Sequence, residues 1–401
     1  MITIKKPYLE TKNEHTRIVN DLVIDQEIKT IWFEVDNEYA KYLTTDRADA
    51  YLIGILNYAM RNKHDIVCEA PVTEELLYNI SVILIPAVYS SGKNLYKTKI
   101  TANTLPTIIE GTAIGTGCSC GVDSFSAIIN HLHSAYPGMD LTHICINNVG
   151  AFNNCYSNFG IEQTRKERYA ASEKVAKTLG LPLIQTDSNF TQAIPMDHLQ
   201  THTYSSVMAV YMLQKLWKTY YYASSGRDYT SFSLHDNDLH ECSKYELLSL
   251  QCFSTSGLRL YSEGGEKTRL KKIEDILDFD VAQQNLHVCI SKPYNCNECS
   301  KCSRTLLMLD ALNGLEKYSK VFDIEHYRKN TTMYLMWLYE QYLRHDEYAL
   351  EVYDILNERG QIPASLKRKV KFNYFFWDKI TSHINLTLIK KLVSLKHKLF
   401  K

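Results

Sequence analysis

Apolar and polar positions alternate along the chain with two periods, and their distribution divides the 401 residues into three regions. A period of two predicts strands, and a period near 3.6 predicts helices. In the first region, residues 1–106, these patterns predict a small α+β unit. Its predicted strands are 28–35, 65–68 and 96–102, and its predicted helices are 38–62 and 72–88.

The second region, residues 107–315, alternates short apolar runs with helical patterns. Its predicted strands are 112–117, 141–147 and 181–186, and its predicted helices are 124–132 and 162–179. This strand–helix order implies right-handed crossovers and a parallel sheet with helices on both faces. The expected fold class is therefore α/β, in which ligands bind beyond the carboxyl ends of the strands.

The third region, residues 316–401, is rich in aromatic residues and is expected to be helical. Its end, residues 390–401, is basic and amphipathic. A membrane-surface or partner-binding role would fit that pattern. A helix that packs on the body with a solvated lysine face is the preferred interpretation.

Charge and composition restrict the function classes. Lys plus Arg and Asp plus Glu both total 45, so no broad basic surface is expected, and tRNA is a partner that the charge does not indicate. The first residues lack the apolar run of a signal peptide, and no apolar window is long enough for a membrane span. Eleven cysteines without an export signal are typical of reduced thiols or metal ligands, so a cytoplasmic protein is expected.

The most informative motif lies between the predicted strand 112–117 and the predicted helix 124–132. It reads Gly117-Cys118-Ser119-Cys120-Gly121-Val122-Asp123-Ser124. Glycine lets the backbone approach an anion, and the serines supply hydroxyl donors. Because the N–H groups at the start of the helix point at the same space, the motif predicts a phosphate-binding loop. Asp123 would repel a phosphate, so it is expected to hold Mg²⁺ or to orient the loop.

Two other interpretations of this motif remain open. A serine-rich turn whose serine caps the following helix would contain the same residues without a ligand. Cys118 and Cys120 lie near a helix N-terminus, where thiolates are stabilised, so they could also be reactive thiols for sulfur transfer. Small buried cysteines are the commoner explanation of such residues.

A second motif is a cluster of cysteines in which Cys289, Cys296, Cys299 and Cys302 occupy fourteen residues. Four thiolates satisfy a tetrahedral Zn²⁺ ion and leave no open position, so a structural zinc site is predicted. An iron–sulfur cluster is the competing interpretation, because four cysteines bind such clusters as well. Metal binding would fix a segment that has no obvious core of its own.

The loop resembles the Ser-Gly-Gly-x-Asp-Ser hallmark of the PP-loop, or N-type, ATP pyrophosphatases. Ser119, Gly121, Asp123 and Ser124 match that hallmark, whereas Cys120 replaces its first glycine. This departure leaves the backbone torsion at position 120 undecided.

Combined with the tetracysteine pattern, the loop resembles the 7-cyano-7-deazaguanine synthase branch over about residues 108–312. The stretch 163–182, the triplet Lys272-Ile273-Glu274 and Arg304 agree with that branch. The family's Pro-Gly-Arg-Asn segment, expected near residues 200–204, is absent. The resemblance therefore implies ATP chemistry and zinc but not the deazaguanine substrate.

The resemblance implies that a substrate oxygen attacks the α-phosphate of ATP and releases pyrophosphate. It implies that Asp123 supports Mg²⁺ and that Lys272 neutralises phosphate charge, with an exposed lysine on a basic helix as the alternative for Lys272. Arg165 or Arg168 would reach an anionic substrate, or would be ordinary exposed arginines. The expected nucleotide-binding residues are Ser119, Cys120, Gly121, Val122, Asp123, Ser124, Ile146 and Asn147.

The function that follows is an ATP-dependent adenylating ligase that forms an amide, amidine or nitrile on a small molecule. Its partners would be ATP, a small-molecule acceptor and ammonia or an amine donor, and a homodimer is compatible with this function. Two alternatives remain open. One is a PP-loop thiolase that acts on tRNA or a metabolite, and the other is a nucleotide-binding sensor without turnover.

Overall fold

A computed structural model describes residues 1–151, 160–224 and 228–382. The strands are β1 (Ile2–Ile4), β2 (Tyr8–Lys12), β3 (His15–Ile24), β4 (Glu27–Asp36), β5 (Ile66–Cys68), β6 (Val72–Thr73), β7 (Ile100–Thr101), β8 (Thr104–Leu105), β9 (Ala113–Gly117), β10 (His143–Asn147), β11 (Leu183–Ser188), β12 (Trp217–Ala223) and β13 (Arg259–Glu263).

The α-helices are α1 (Asp49–Asn62), α2 (Glu74–Tyr78), α3 (Ile85–Ser91), α4 (Val122–Asn130), α5 (Ile161–Leu179), α6 (Phe190–Ala193), α7 (His198–Met212), α8 (Asp228–Ser231), α9 (Glu246–Phe253), α10 (Arg269–Asp275), α11 (Asp280–Asn285), α12 (Ser300–Ala311), α13 (Ile324–Lys329), α14 (Thr331–Leu343), α15 (Glu347–Glu358) and α16 (Ala364–Ser382). A π-helix covers Asn79–Leu84 between α2 and α3. Short 3-10 helices cover Asn37–Tyr42, Pro137–Met139, Asp236–Asp238, Cys242–Tyr245 and Leu315–Tyr318.

One mostly parallel sheet organises the larger part of the chain. Its strand order is β13-β12-β9-β10-β11-β4-β3-β1-β5-β7, with β2 paired to β3 at the side. The five strands from β13 to β11 are parallel to one another. The α/β class predicted from the sequence is thereby confirmed, together with a helical C-terminal region.

The position of β9 within this sheet determines where a ligand can bind. The chain places β10 on one side of β9 and later places β12 on the other side. Because the crossovers on the two sides diverge, a crevice opens at the carboxyl end of β9. Residues 118–121 connect β9 directly to α4, so this turn lies at the crevice.

The first 106 residues extend the same sheet through an antiparallel contact between β4 and β11. The hairpin of β3 and β4 turns through Asp25 and Gln26, whose φ angles of 48° and 75° suit a two-residue turn. The chain forms two compact units, Met1–Cys296 and Asn297–Lys401. The sequence-based division at residues 106 and 315 does not coincide with these units.

Most predicted elements of the parallel sheet are confirmed. The strands 28–35, 112–117, 141–147 and 181–186 correspond to β4, β9, β10 and β11. The continuous helix predicted over 38–62 is wrong, because a 3-10 helix ends at Tyr42 and α1 begins only at Asp49. The strand predicted over 96–102 shortens to β7. The basic segment 390–401 lies outside the described residues.

The smaller unit is helical, and aromatic packing is prominent in it. The rings of Tyr342 and Tyr353 stack with centroids 3.8 Å apart, and the guanidinium of Arg304 lies 3.9 Å from the ring centroid of Tyr348. Aromatic and cation–π pairs of this kind add to the energy of apolar burial. In the described ranges, no helix is long and apolar enough to cross a membrane.

Close packing around β9 provides a test of the fold. A Cβ atom on Gly115 would lie 2.3 Å from the indole of Trp217 on β12, whereas a Cβ on Gly138 would meet no atom within 4 Å. We expect Gly115→Ala to lower the free energy of unfolding by about 1–3 kcal/mol, because Trp217 is buried and must shift. Gly138→Ala is the control, and urea denaturation measures both. Equal stability of the two variants would contradict this packing.

Candidate functional site

The phosphate-loop motif forms a compact turn between β9 and α4. Ser119 Oγ lies 3.4 Å from Ser124 Oγ and accepts a hydrogen bond from the Gly121 N–H at 3.4 Å. Ser124 Oγ also donates to the Gly121 carbonyl at 3.0 Å. Helix α4 begins at Val122, so its first N–H groups and its positive dipole end lie at the turn. Two hydroxyls and a helix N-terminus therefore converge where an anion would bind.

Cys120 resolves the question that the replaced glycine left open. Its φ angle is 58°, in the left-handed region that favours glycine. Cysteine occupies this region at a cost of about 1–2 kcal/mol. The backbone at position 120 therefore keeps a torsion suited to glycine even though the side chain has changed.

A cavity of about 240 Å³ opens beside the turn. It lies at the carboxyl ends of β9, β10 and β12, where the strand order reverses. The residues that line it are Gly117, Cys118, Ser119, Asp123, Ser124, Cys145, Ile146, Asn147, Val149, Ala151, His198, Ser205, Ser206, Tyr220, Tyr222 and Ala223. The cavity thus brings together most of the predicted nucleotide-binding residues, from two separate strand ends.

Asp123 bridges two cations at the edge of this cavity. Its Oδ2 lies 2.8 Å from the guanidinium of Arg269, and its Oδ1 lies 3.3 Å from Lys272 Nζ. Burial alone would raise the pKa of Asp123, but Arg269 and Lys272 outweigh that effect and lower it below the ordinary value. Asp123 is therefore a carboxylate at neutral pH. Its two oxygens are engaged by protein cations in this structure, and its predicted Mg²⁺ role stays a prediction.

Lys272 is buried, so the alternative of an exposed lysine on a basic helix is wrong. Its side chain is only 2% exposed, and Nζ donates to the Ser224 carbonyl at 2.5 Å in addition to its contact with Asp123. Gly264 makes room for it, because a Cβ there would lie 2.8 Å from Lys272 Cε. A buried ammonium group needs such partners to offset its desolvation. Lys272 is thus fixed beside the phosphate loop.

The end of β10 forms a second side of the cavity. Asn147 Oδ1 accepts a hydrogen bond from Thr186 Oγ1 at 2.9 Å, which fixes the orientation of the amide. Ile146 is 5% exposed and lines the same cavity. Both residues lie where the sequence places the adenine pocket, and base recognition by them stays a prediction.

The two loop thiols differ in acidity. The hydrogen bond of Cys118 with Cys120, together with burial, raises the pKa of Cys118. The same hydrogen bond lowers the pKa of Cys120, against the effect of burial and with help from Arg168. Cys118 is the thiol that lines the cavity. The loop thiol that lines the cavity is therefore the one whose thiolate form is disfavoured.

The two candidate arginines of α5 already have protein partners. Arg168 donates to the Ser119 carbonyl at 3.3 Å and so supports the phosphate loop. Arg165 forms a 3.0 Å ion pair with Asp187 at the end of β11. Whether either one also reaches an anionic substrate stays a prediction.

Sequence reasoning missed Arg269 and the wall formed by α7 and β12. Arg269 is separated from Asp123 by 146 residues, so only the folded chain brings the two together. The wall contributes His198, Ser205 and Ser206 from α7 and Tyr222 from β12. A helical spacing of polar residues at 198, 202, 205 and 206 was the available signal.

The four clustered cysteines are arranged for a metal. The Sγ atoms of Cys289, Cys296, Cys299 and Cys302 all lie within 4.8 Å of one another. Four sulfurs at about 2.3 Å from one tetrahedral Zn²⁺ would lie about 3.8 Å apart. Sulfurs that surround a cube of four irons must be farther apart, so the spacing fits a single ion better. The predicted clustering of the four cysteines is confirmed as a group that could bind a metal such as zinc, and zinc itself stays a prediction.

No family model, no curated protein and no solved structure matches the chain. The resemblance to the PP-loop superfamily therefore stays a prediction that rests on the residues and contacts described above.

The torsion at position 120 predicts effects of different size on stability for two substitutions. Cys120→Gly should change the free energy of unfolding by less than about 1 kcal/mol. Glycine relieves the strained torsion, which stabilises the fold, but it loses side-chain packing and makes the unfolded chain more flexible, and both of these effects destabilise the fold. Cys120→Val should destabilise by more than about 2 kcal/mol, because a β-branched residue is strained at positive φ. Urea denaturation measures both. Similar losses for the two variants would rule out this backbone conformation.

The cysteine cluster predicts one zinc ion per chain by elemental analysis of the purified protein. Removing zinc with a chelator should lower the thermal midpoint, because binding energy at a structural site is folding energy. Cys296→Ser should have the same effect, and Cys252→Ser, at a buried cysteine outside the cluster, is the control. If the protein contains iron and absorbs visible light, the cysteines hold an iron–sulfur cluster and not zinc. If the protein contains no metal, the predicted metal site is refuted.

Proposed function

We propose that this protein is an ATP-dependent adenylating ligase that joins ammonia or an amine to a small-molecule acceptor. The observation that carries this proposal is the phosphate loop at the strand-order reversal, backed by the cluster of Asp123, Lys272 and Arg269. Hydroxyls, a helix N-terminus and two cations are the groups that bind a polyphosphate. Their position matches the ligand site of open α/β sheets.

In the proposed reaction, a carboxylate oxygen of the acceptor attacks the α-phosphorus of ATP. The bond to the bridging oxygen breaks, and pyrophosphate leaves with the electron pair. The nitrogen donor then attacks the acyl carbon, loses a proton and displaces AMP. The product is an amide, and amidine or nitrile formation would extend the same activation. Mg²⁺ bound with ATP would supply charge neutralisation on the phosphate oxygens.

The chain's own groups have distinct roles in this proposal. Ser119, Ser124 and the first N–H groups of α4 hold the pyrophosphate portion. Lys272 stabilises the negative charge that develops as pyrophosphate departs, in a site from which water is partly excluded. Asp123 is a positioning residue, because its carboxylate fixes the ammonium of Lys272 and the guanidinium of Arg269. The end of β10, at Ile146 and Asn147, accommodates the adenine.

A sulfur-transferring enzyme is the second candidate, since Cys118 lines the cavity. Its raised pKa favours the ligase, because the thiolate is the nucleophilic form. Cys118→Ser and Cys120→Ser separate the two candidates. Loss of turnover in either variant, with nucleotide binding intact, would favour sulfur transfer. A nucleotide-binding sensor would instead retain ATP binding and release no pyrophosphate with any acceptor.

The proposal predicts pyrophosphate and AMP when the protein is incubated with Mg·ATP, ammonium and a panel of small carboxylic acids. Asp123→Asn should lower AMP formation about 100-fold or more, because Lys272 and Arg269 lose their shared carboxylate. The matched control is Asp140→Asn, in which the altered carboxylate accepts from Ser134 outside the cavity. Pyrophosphate release is followed by a coupled phosphate assay, and AMP by chromatography.

A double variant separates catalysis from stability. Asp123→Asn alone leaves a buried ammonium without its counter-charge, so it should also destabilise the fold. Asp123→Asn combined with Lys272→Met also removes the buried ammonium, while Arg269 keeps its charge beside residue 123, so the double variant should recover part of the stability without recovering AMP formation. Wild-type rates in Asp123→Asn, or recovered AMP formation in the double variant, would contradict the assigned roles.

A further inference from the structure

The cavity has a third side whose residues have no role in the proposed binding of the nucleotide. The phosphate loop follows β9 at the centre, and the predicted adenine edge is the end of β10 on one side of β9. On the opposite side of β9, the cavity is closed by α7 and β12. We call this side the α7–β12 wall, and it comprises His198, His202, Ser205, Ser206 and Tyr222.

The wall residues of α7 recur at helical spacing and therefore lie on one side of the helix. Residues 198, 202, 205 and 206 are four, seven and eight positions apart along α7, so they share one face of the helix. His198, Ser205 and Ser206 line the cavity directly. His202 lies behind them, with its ring centroid 5.5 Å from that of His198. The face is therefore polar where a helix packed on a sheet would ordinarily be apolar.

A hydrogen bond between the two elements fixes the shape of the wall. Nδ1 of His202 lies 2.9 Å from the hydroxyl oxygen of Tyr222, which lines the cavity from β12. Thr203 Oγ1 lies 3.5 Å from the same imidazole nitrogen and 3.3 Å from the buried carboxylate of Glu246. Such a network holds side chains in one orientation before a ligand arrives.

Burial keeps His202 and Tyr222 of the wall uncharged at neutral pH. Burial, with a contribution from His198, lowers the pKa of His202 to about 3, so its imidazole stays neutral. Burial, reinforced by Glu246 and Cys242, raises the pKa of Tyr222 well above its ordinary value, so its phenol stays protonated. Neutral hydroxyls and imidazoles recognise neutral polar groups by hydrogen bonds.

We propose that the α7–β12 wall is the acceptor subsite and that it binds the uncharged polar body of a small carboxylic acid. This inference rests on the proposed function, in which the acceptor must reach the α-phosphate of ATP. The space for it lies between the phosphate loop and the α7–β12 wall. Tyr222, Ser205 and Ser206 make the hydrogen bonds to the acceptor. His202 is a positioning residue: in the tautomer with the proton on Nδ1 it donates to the Tyr222 oxygen, which leaves the phenolic proton for the acceptor.

Three stable adenylate mimics test the subsite with the zinc-loaded full-length protein. They are 5′-O-sulfamoyladenosine and its N-benzoyl and N-nicotinoyl derivatives, with affinities measured by isothermal titration calorimetry. The benzoyl and nicotinoyl rings have nearly the same shape, and only the latter has a ring nitrogen that accepts a hydrogen bond. We expect the nicotinoyl compound to bind about tenfold tighter than the unacylated compound and about threefold tighter than the benzoyl compound.

Two variants locate the effect. Ser206→Leu should fill the wall and remove the advantage of both acyl groups, while the affinity for 5′-O-sulfamoyladenosine stays within about twofold. Tyr222→Phe should remove the preference for nicotinoyl over benzoyl. Ser90→Leu on α3, where Ser90 is exposed, and Tyr261→Phe on β13, where Tyr261 is 47% exposed, are the matched controls. Unchanged affinity for the unacylated compound shows that each variant is folded.

The outcomes separate this inference from the proposed function. If no acyl group improves binding to the wild type, or if Ser206→Leu keeps the improvement, the acceptor subsite is refuted and the nucleotide site stands. If benzoyl and nicotinoyl compounds bind equally, the polar character of the acceptor is refuted. If the unacylated compound and Mg·ATP both fail to bind, the proposed function fails, and the subsite fails with it.

Discussion

Burial of the Lys272 ammonium is the constraint on which the arrangement of the site depends. A cation that is 2% exposed is stable only with partners, and here the partners are the carboxylate of Asp123 and the carbonyl of Ser224. These contacts connect the start of α4, the chain after β12 and helix α10. Breaking such a pair by removing one partner typically costs about 3–5 kcal/mol. The same contacts that hold α10 against the loop therefore place Lys272 against Asp123, which lines the cavity.

The strand-order reversal at β9 explains why the other parts of the site meet there. The loop after β9 supplies the predicted anion cradle, the end of β10 supplies one side of the cavity and the end of β12 supplies the other. Each strand end contributes different chemistry: hydroxyls and N–H groups, an amide, and a phenol held by an imidazole. A nucleotide lying across this crevice would have its phosphates at the centre and its base on the β10 side. The β12 side then remains for a second substrate.

Local sequence patterns predicted the parts of the site that lie close together in the chain. The turn from β9 into α4 and the cysteine cluster could be predicted because the residues of each lie close together in the sequence. The turn also retains, at Cys120, a backbone torsion suited to glycine. The parallel strands β9, β10 and β11 were readable because each is a short apolar run between helices. Sequence alone did not reveal β12, whose Trp217–Ala223 run mixes aromatic residues with lysine and threonine.

Contacts between distant segments could not be predicted in this way. The ion pair of Asp123 and Arg269 and the hydrogen bond of His202 and Tyr222 depend on which strands become neighbours. The first 106 residues were predicted to be a separate α+β unit, because their patterns contain both strands and helices. In the structure, β4 joins the central sheet by pairing with β11. The sequence left two interpretations of Lys272, a group that neutralises phosphate charge or an exposed lysine on a basic helix, and its burial excludes the second.

The central claim is that the crevice beside β9 binds ATP through the phosphate loop. Isothermal titration calorimetry with Mg²⁺ and α,β-methylene-ATP, which cannot release pyrophosphate, tests it most directly. We expect one site per chain with a dissociation constant well below about 1 mM, and loss of that binding in Ser124→Tyr, which would fill the cradle. Absence of binding in the wild type, or unchanged binding in Ser124→Tyr, would show that the crevice does not bind ATP in this way.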